Sequence, residues 1–402
     1  MTARSSRGIQ AKLIVGMLVG IAVVWVIVTA RWSPWSAEGS AARSPSAGSS
    51  SVDQSAPPSC TESSCDAERV TPMVVQKIGQ MDPAARRLRL HDVTNQALAT
   101  VSLVPAITEL EVASSLEPLD LTPLAHLAVL QRLTLTAVTV QSLTPLEKTS
   151  IQNLTFSDVR GITDLAPIAR MPHVEELSLR GPLPPTLASL GGGHLRRFTV
   201  NSLSLKTLDG IERIGGLELL SLEACGAISD LSPLGRLAGL KELDLTWMPL
   251  PANPTLPPNL TTLALVSDHV TDISFLREET GLTILSLNNN DIRDLSPLAA
   301  LKDLQLLSLD RNSNLKDITP LRSLPRLESL ALSGTAVVSL DAVTGLPLKT
   351  IYLEHTQVKS LAPLAKVATL QIVEFLPKTF PQAEVDALRQ ANPKVRVSRG
   401  AD

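Results

Sequence analysis

From Leu282 to Leu304 apolar residues fall at Leu282, Leu285, Leu287, Ile292, Leu295, Leu298 and Leu301, and the series restarts at Leu304, 22 residues on. Leu285 and Leu287 alternate as strand residues do, because successive strand side chains point to opposite faces. The wider spacings after them fit neither a strand nor one continuous helix. The pattern therefore predicts a short strand followed by a return segment, a unit that buries its apolar edge only against copies of itself. Copies are present. Paired strand positions recur at Leu88/Leu90, Leu110/Val112, Leu133/Leu135, Leu154/Phe156, Leu177/Leu179, Phe198/Val200 and Leu220/Leu222. They continue at Leu243/Leu245, Leu263/Leu265, Leu285/Leu287, Leu307/Leu309, Leu330/Leu332, Ile351/Leu353 and Val373/Phe375, fourteen rungs spaced 20 to 23 residues apart.

The return segments repeat as well. Thr122-Pro123-Leu124, Thr144-Pro145-Leu146, Ala166-Pro167-Ile168, Ser232-Pro233-Leu234, Ser296-Pro297-Leu298, Thr319-Pro320-Leu321 and Ala362-Pro363-Leu364 hold one register. Ser or Thr before Pro reads as an N-cap followed by proline at the first helical position, so each return is expected to open a short helical turn. Together with Asn290-Asp-Ile-Arg-Asp-Leu-Ser-Pro-Leu298, these units resemble the 22-residue repeats of the internalin-like leucine-rich-repeat family, from about Leu88 to Phe375. The resemblance implies an α/β solenoid: a leucine-rich-repeat horseshoe of about 14 rungs, with a parallel concave β-sheet, short helical or extended convex segments, and caps at both ends. It also implies binding rather than catalysis. The family's buried asparagine is matched at Asn290 and Asn312, while Cys225, Asp268, Thr335 and Thr356 hold equivalent places. Gly181-Pro-Leu-Pro-Pro185 and Pro249 to Pro258 are too proline-rich for helical turns, and extended returns are expected there.

Outside the repeats the organisation is read as follows. Residues 1–12 are basic and acid-free, and residues 13–30 form an uncharged apolar run. Eighteen residues at about 1.5 Å each reach roughly 27 Å, near the thickness of a bilayer core. The run is read as a signal-anchor with a cytoplasmic tail before it; the alternative is secretion after cleavage near Ala30. Residues 31–69, rich in Ser, Ala and Pro, are expected to be a disordered tether. Cys60 and Cys65 within it are candidates for a small disulfide if the compartment is oxidising. Residues 70–84 are read as an N-terminal cap with a helix from Pro72 to about Gln80, residues 85–376 as the repeats, and residues 377–402 as a C-terminal cap. In that cap, Pro381 to Ala391 is expected to be a helix, and Lys394 to Val397 a last short strand.

Composition narrows the function. Hydrophobic residues make up 44% of the 402, aromatics only 2%, so the core must be Leu, Ile and Val. A net charge of −3 supplies no global field for nucleic acid. The three cysteines and six scattered histidines form no zinc-like spacing, and no H-E-x-x-H or G-x-S-x-G occurs. Neither metal nor cofactor is expected. Leu376-Pro-Lys-Thr379 lacks the glycine and apolar tail of a sorting signal and reads as a loop.

The informative positions alternate with the ladder and face the concave side. Arg87, Arg89, Arg132, Arg180 and Arg197 form a basic patch among Glu109, Glu111 and Glu176 in the first six rungs. From Leu219 onward these positions hold acids and no Lys or Arg: Glu223, Glu242, Asp244, Asp310, Glu354 and Glu374. Ile284 and Leu306 share a column and are expected about 4.8 Å apart. Tyr352, the single tyrosine, faces outward, and Trp247 lies just past a strand. Interfaces favour Tyr and Trp around an apolar centre. The partner-binding candidates are therefore Glu223, Glu242, Asp244, Trp247, Ile284, Leu306, Asp310, Tyr352 and Glu354. The expected function is protein or envelope-polymer binding outside the cytoplasm. The alternatives are a structural envelope component without a specific ligand and an enzyme with an unrecognised site.

Overall fold

The structure, a computed structural model, describes residues 59–61, 64–67, 86–104, 106–267 and 269–399. The apolar run at 13–30 and the expected helix at 72–80 lie outside the described residues. Among the described residues, no helix is long and apolar enough to cross a membrane.

Each predicted strand pair lies on one strand of a single sheet. The strands are β1 (Ser59–Thr61), β2 (Ser64–Ala67), β3 (Arg87–Val93), β4 (Glu109–Ser115), β5 (Arg132–Thr136), β6 (Asn153–Ser157), β7 (Glu176–Arg180), β8 (Arg197–Asn201) and β9 (Leu219–Glu223). There follow β10 (Glu242–Thr246), β11 (Thr262–Val266), β12 (Ile284–Ser286), β13 (Leu306–Ser308), β14 (Ser329–Ala331), β15 (Thr350–Tyr352), β16 (Ile372–Phe375) and β17 (Arg396–Arg399). From β2 onward every strand pairs in parallel with the next in sequence. Register is uniform: Leu243 lies opposite Leu263, Leu263 opposite Leu285, and Leu285 opposite Leu307. Because side chains alternate, one register error would turn every leucine outward, so the ladder itself fixes the stacking.

The ladder leucines form one buried cluster running from Leu88 to Val395. In the reference repeat, Leu282, Leu285, Leu287, Ile292, Leu295, Leu298, Leu301 and Leu304 are all buried. Truncating such a residue to alanine costs about 2–5 kcal/mol, which makes each rung depend on its neighbours. Phe375 meets Phe380 edge to face with centroids 4.9 Å apart and closes the C-terminal end. There the cap helix (Gln382–Ala391) buries Val385 and Leu388, as its spacing predicts. The final strand lies at Arg396–Arg399, two residues later than expected.

The helical returns form where expected, but the capping differs. The cap comes from the side chain two residues before the first amide of the turn. Asp120 Oδ1 accepts from Thr122 N, Asp164 from Ala166 N, Asp230 from Ser232 N, Asp272 from Ser274 N, Asp294 from Ser296 N and Asp317 from Thr319 N, all at 2.8–2.9 Å. Ser142 Oγ serves Thr144 N in the same way at 3.1 Å. The Thr or Ser before Pro is itself the first 3₁₀ residue, and the leucine or isoleucine before it makes no side-chain cap. An Asx or ST turn reaches the amide two residues on, which from Asp120 is Thr122 N; the amide two residues past Thr122, that of Leu124, already donates to Leu121 O at 3.0 Å. Pro249 to Pro258 contains no helix, as its prolines require.

A second correction concerns the tether. Residues 59–61 and 64–67, within the stretch expected to be disordered, form an antiparallel β1–β2 pair, and β2 pairs with β3. The register sets Cys60 opposite Cys65, and Cys65 opposite Leu88. Pairing with a preformed strand edge supplies the backbone partners that this polar segment cannot find alone.

Candidate functional site

The alternate residues of each strand make columns along the concave face. The first runs Glu242, Thr262, Ile284, Leu306, Ser329, Thr350, Ile372; the second runs Asp244, Ala264, Ser286, Ser308, Ala331, Tyr352, Glu374. A third column lies just past the short strands. Asn289 N donates to Asp310 O, Arg311 N to Ser333 O and Gly334 N to Glu354 O, so Asp310, Ser333 and Glu354 are aligned on successive rungs. Adjacent rungs stand about 4.8 Å apart. Ile284 and Leu306 are thus direct neighbours, with Asp310 on the opposite flank of the small residues between.

The basic residues of the first six rungs do not form a free basic patch. Arg87 Nε donates to Glu109 Oε2 at 2.7 Å, and Arg89 Nε to Glu111 Oε2 at 2.7 Å. Arg132 stands 3.8 Å from Glu109, Arg197 3.9 Å from Glu176, and Arg180 3.5 Å from Glu223. Asn153 also bonds Glu176. Alternating signs on successive rungs therefore neutralise each other across the strands. The hydrogen bond from Arg87 holds the Glu109 carboxyl below the usual carboxylate range. A depression about 290 Å³ in volume lies here, lined by Arg132, Asn153, Thr155, Glu176, Ser178 and Arg197 among others.

The acidic half divides in two. Glu223 is taken by Arg180. Asp244 accepts from Thr246 Oγ1 at 2.6 Å and Ser221 Oγ at 3.3 Å, and burial nonetheless pushes its carboxyl up. Glu242, Asp310, Glu354 and Glu374 make no ion pair within 4.0 Å among the described residues. Asp310 accepts one amide hydrogen bond, from Ser333 N at 2.7 Å. Asn288 Oδ1 holds the segment in place by accepting from Asp310 N at 2.9 Å and Ser308 Oγ at 2.6 Å. Burial outweighs that support and pushes the Asp310 carboxyl up to about 6, with Glu354 adding repulsion and Arg311 opposing it. Burial and Glu354 raise Glu374; burial, Glu374 and Asp310 raise the Tyr352 phenol. At the C-terminal end, Arg396 lies opposite Ile372, a basic residue that the expected Lys394–Val397 strand did not place on this column.

Comparison with known proteins fits this geometry. Residues 280–323, the most regular stretch, match the family described as Leucine Rich repeats (2 copies). The fold is that of a leucine-rich-repeat protein. An internalin from Listeria monocytogenes is 19% identical over 83% of this chain and 90% of its own, with a TM-score of 0.51. A leucine-rich-repeat protein of Leptospira interrogans is 18% identical over 84% and 89%, with a TM-score of 0.51. A chain of the Drosophila Toll–Spatzle complex is 13% identical over 84% of this chain and 54% of its own, with a TM-score of 0.60. No curated protein matches the sequence.

As in the resemblance, the leucine-rich-repeat asparagines satisfy buried backbone. Asn312 Nδ2 donates to Leu287 O and Leu309 O, both at 2.9 Å, and its Oδ1 accepts from Ile292 N at 3.0 Å. Asn290 makes the same set with Leu265 O, Leu287 O and Val270 N. Thr335 and Thr356 each bond only the carbonyl three residues before, and Cys225 Sγ reaches Glu223 O at 3.4 Å. Asp268 lies outside the described residues. Cys225 is buried and its thiol is pushed up by desolvation, a packing role. Among the described residues, no group of three or more His, Cys, Asp or Glu side chains is placed to hold a metal ion.

One feature of the rungs carries no leucine signal. One repeat position, directly after the longer strands and three residues past the shorter ones, takes positive φ in rung after rung: Asp158, Gly181, Ala224, Trp247, Asn289, Arg311, Gly334 and His355. Glycine or asparagine accepts this conformation readily, and a bulky side chain does not. Trp247 occupies it with φ 55 and is 48% exposed. A recurring Asn, Asp or Gly at that repeat position was the available signal. Ser286 and Asn288, buried on the concave side, are a second pair that residue type alone did not flag.

Proposed function

We propose that this leucine-rich-repeat chain is a non-catalytic recognition module, held outside the cytoplasm by residues 13–30, that binds a protein partner on the concave face of β10 to β16. The observation that carries the reading is Trp247. Its left-handed backbone costs on the order of 1–3 kcal/mol for a non-glycine residue, yet its side chain lies half exposed at the rim. The left-handed turn recurs along the rungs and belongs to the repeat; what sets Trp247 apart is a half-exposed indole at the rim, the residue type that interfaces favour. Half-buried Ile284, Leu306 and Tyr352 extend the same surface across the rungs. Shared fold adds modest support: the Toll–Spatzle structure is, by its name, a complex of a protein of this fold with another protein.

The test is site-specific photo-crosslinking of the full chain in its own cells, with the photoreactive residue at Ile284 or, as a convex control, at Arg322. A discrete protein adduct from Ile284 and none from Arg322 is expected. Adducts of equal yield from both faces, or none from Ile284, would overturn the reading and favour a structural envelope component.

A further inference from the structure

Two buried side-chain polar atoms among the described residues lack any hydrogen-bond partner, Glu242 Oε2 and Ser286 Oγ. Both lie on the concave face of the acidic half, in adjoining columns two strands apart. Native interiors satisfy such atoms almost without exception, so each calls for a cause. Ser286 is only 1% exposed and sits on a floor of small residues, Ala264, Ser286, Ser308 and Ala331, that lets a second chain approach closely. One wall of this groove is apolar, Ile284 and Leu306. The other is acidic, with Asp310 and Glu354 flanking Ser333 on successive rungs.

We infer that the partner lays an extended segment along this groove and places an arginine or lysine side chain over Ser333, between Asp310 and Glu354. This rests on the recognition reading above and names the chemistry of what is recognised. Asp310 and Glu354 stand two rungs apart, about 9.6 Å between backbones, and both side chains extend from the same column. That span suits a guanidinium, whose five donors in a planar fork bridge two carboxylates. Arg311 and Tyr352 are the other charged or titratable groups that act on Asp310; Arg311 is outside ion-pair distance, and Tyr352 is neutral at physiological pH. The contrast with the first six rungs is the second argument. There every acid on the concave columns has an arginine on a neighbouring rung. Here the cation has to come from outside. Apolar residues flanking it in the partner meet Ile284 and Leu306.

The experiment is selection of a random 12-residue peptide library displayed on phage against the full chain, with counter-selection on the Asp310→Asn/Glu354→Gln variant. Both substitutions keep size and shape, and the variant's melting curve checks that it folds. Enrichment of peptides with Arg or Lys beside apolar residues is the expected result. A synthetic Leu-Arg-Leu-Arg-Leu peptide should then bind at least tenfold more weakly to the variant, and no differently to an Arg132→Gln/Arg197→Gln control. Groove-dependent peptides without basic enrichment would overturn this inference and leave the recognition function standing. Absence of any groove-dependent peptide would overturn both.

Discussion

Replacing Asp310 with asparagine should stabilise the protein at neutral pH and leave it unchanged in acid. Burial raises the Asp310 carboxyl from 3.8 to about 6. At 1.36 kcal/mol per tenfold change in acidity, that displacement corresponds to roughly 3 kcal/mol. The sign follows from the direction. A carboxyl raised in the folded state favours its protonated form there, so its stabilisation is complete below pH 3.8 and is lost as pH rises through about 6. Asparagine keeps an acceptor for Ser333 N and cannot ionise. The measurement is urea unfolding of parent and Asp310→Asn from pH 3.5 to 7.5, read as the difference in midpoint. Repeat arrays can depart from two-state behaviour, and comparing the two proteins at each pH avoids depending on it. Asp120, Asp230 and Asp317, held low by their hydrogen bonds to Thr122, Ser232 and Thr319, lose stability in acid in both proteins and cancel in the difference. The variant should gain up to about 3 kcal/mol at pH 7.5 and converge on the parent below pH 4. A variant less stable than its parent at pH 7.5, or a gap that persists in acid, would refute the reasoning.

Three further outcomes follow from the same geometry. Asn312→Ala removes three buried hydrogen bonds and should cost about 3–5 kcal/mol, while Thr335→Ala, with one, should cost about 1 kcal/mol; chemical denaturation gives both. Trp247→Gly relieves the left-handed backbone and should change stability by less than about 1 kcal/mol, the lost half-buried indole contacts offsetting the gain. The same variant should weaken partner binding at least tenfold by calorimetry, which separates a contact residue from a structural one. Asp317→Ala frees the amide of Thr319 and should cost about 0.5–2 kcal/mol. Its penalty should vanish as pH falls through the depressed carboxyl of the parent, which thermal melts at pH 7 and pH 2.5 will resolve.

The fold was legible because one residue type at one period carries it. Leucine at Leu282, Leu285 and Leu287 has a single way to be buried, and every rung repeats the statement. Proline likewise announced where the return at Pro249 to Pro258 would stay extended. The capping aspartates were misread since Asp294 and Ser296 both belong to the cap-forming residues, and only geometry decides which reaches the amide. The β1–β2 pair at residues 59–61 and 64–67 was invisible because β3, the partner of β2, supplies its order. Charge was half legible. Alternation of Arg87, Glu109 and Arg132 along the sequence was plain, but their mutual neutralisation needed the register to place residues of successive rungs 2.7 and 3.8 Å apart. The acids at Asp310 and Glu354, and the absence of Lys or Arg from their columns, were visible as residues; the burial that pushes the Asp310 carboxyl up was not. Ser286 gave no sign at all, because its hydroxyl matters only for being buried without a partner.

We place recognition on the concave face of β10 to β16. The most direct test is the dissociation constant of the partner crosslinked through Ile284, measured against the full chain carrying Ile284→Asp/Leu306→Asp and, separately, Arg132→Gln/Arg197→Gln. A loss of at least a hundredfold with the first pair and less than threefold with the second is predicted. The reverse order, or equal small losses, would contradict the account.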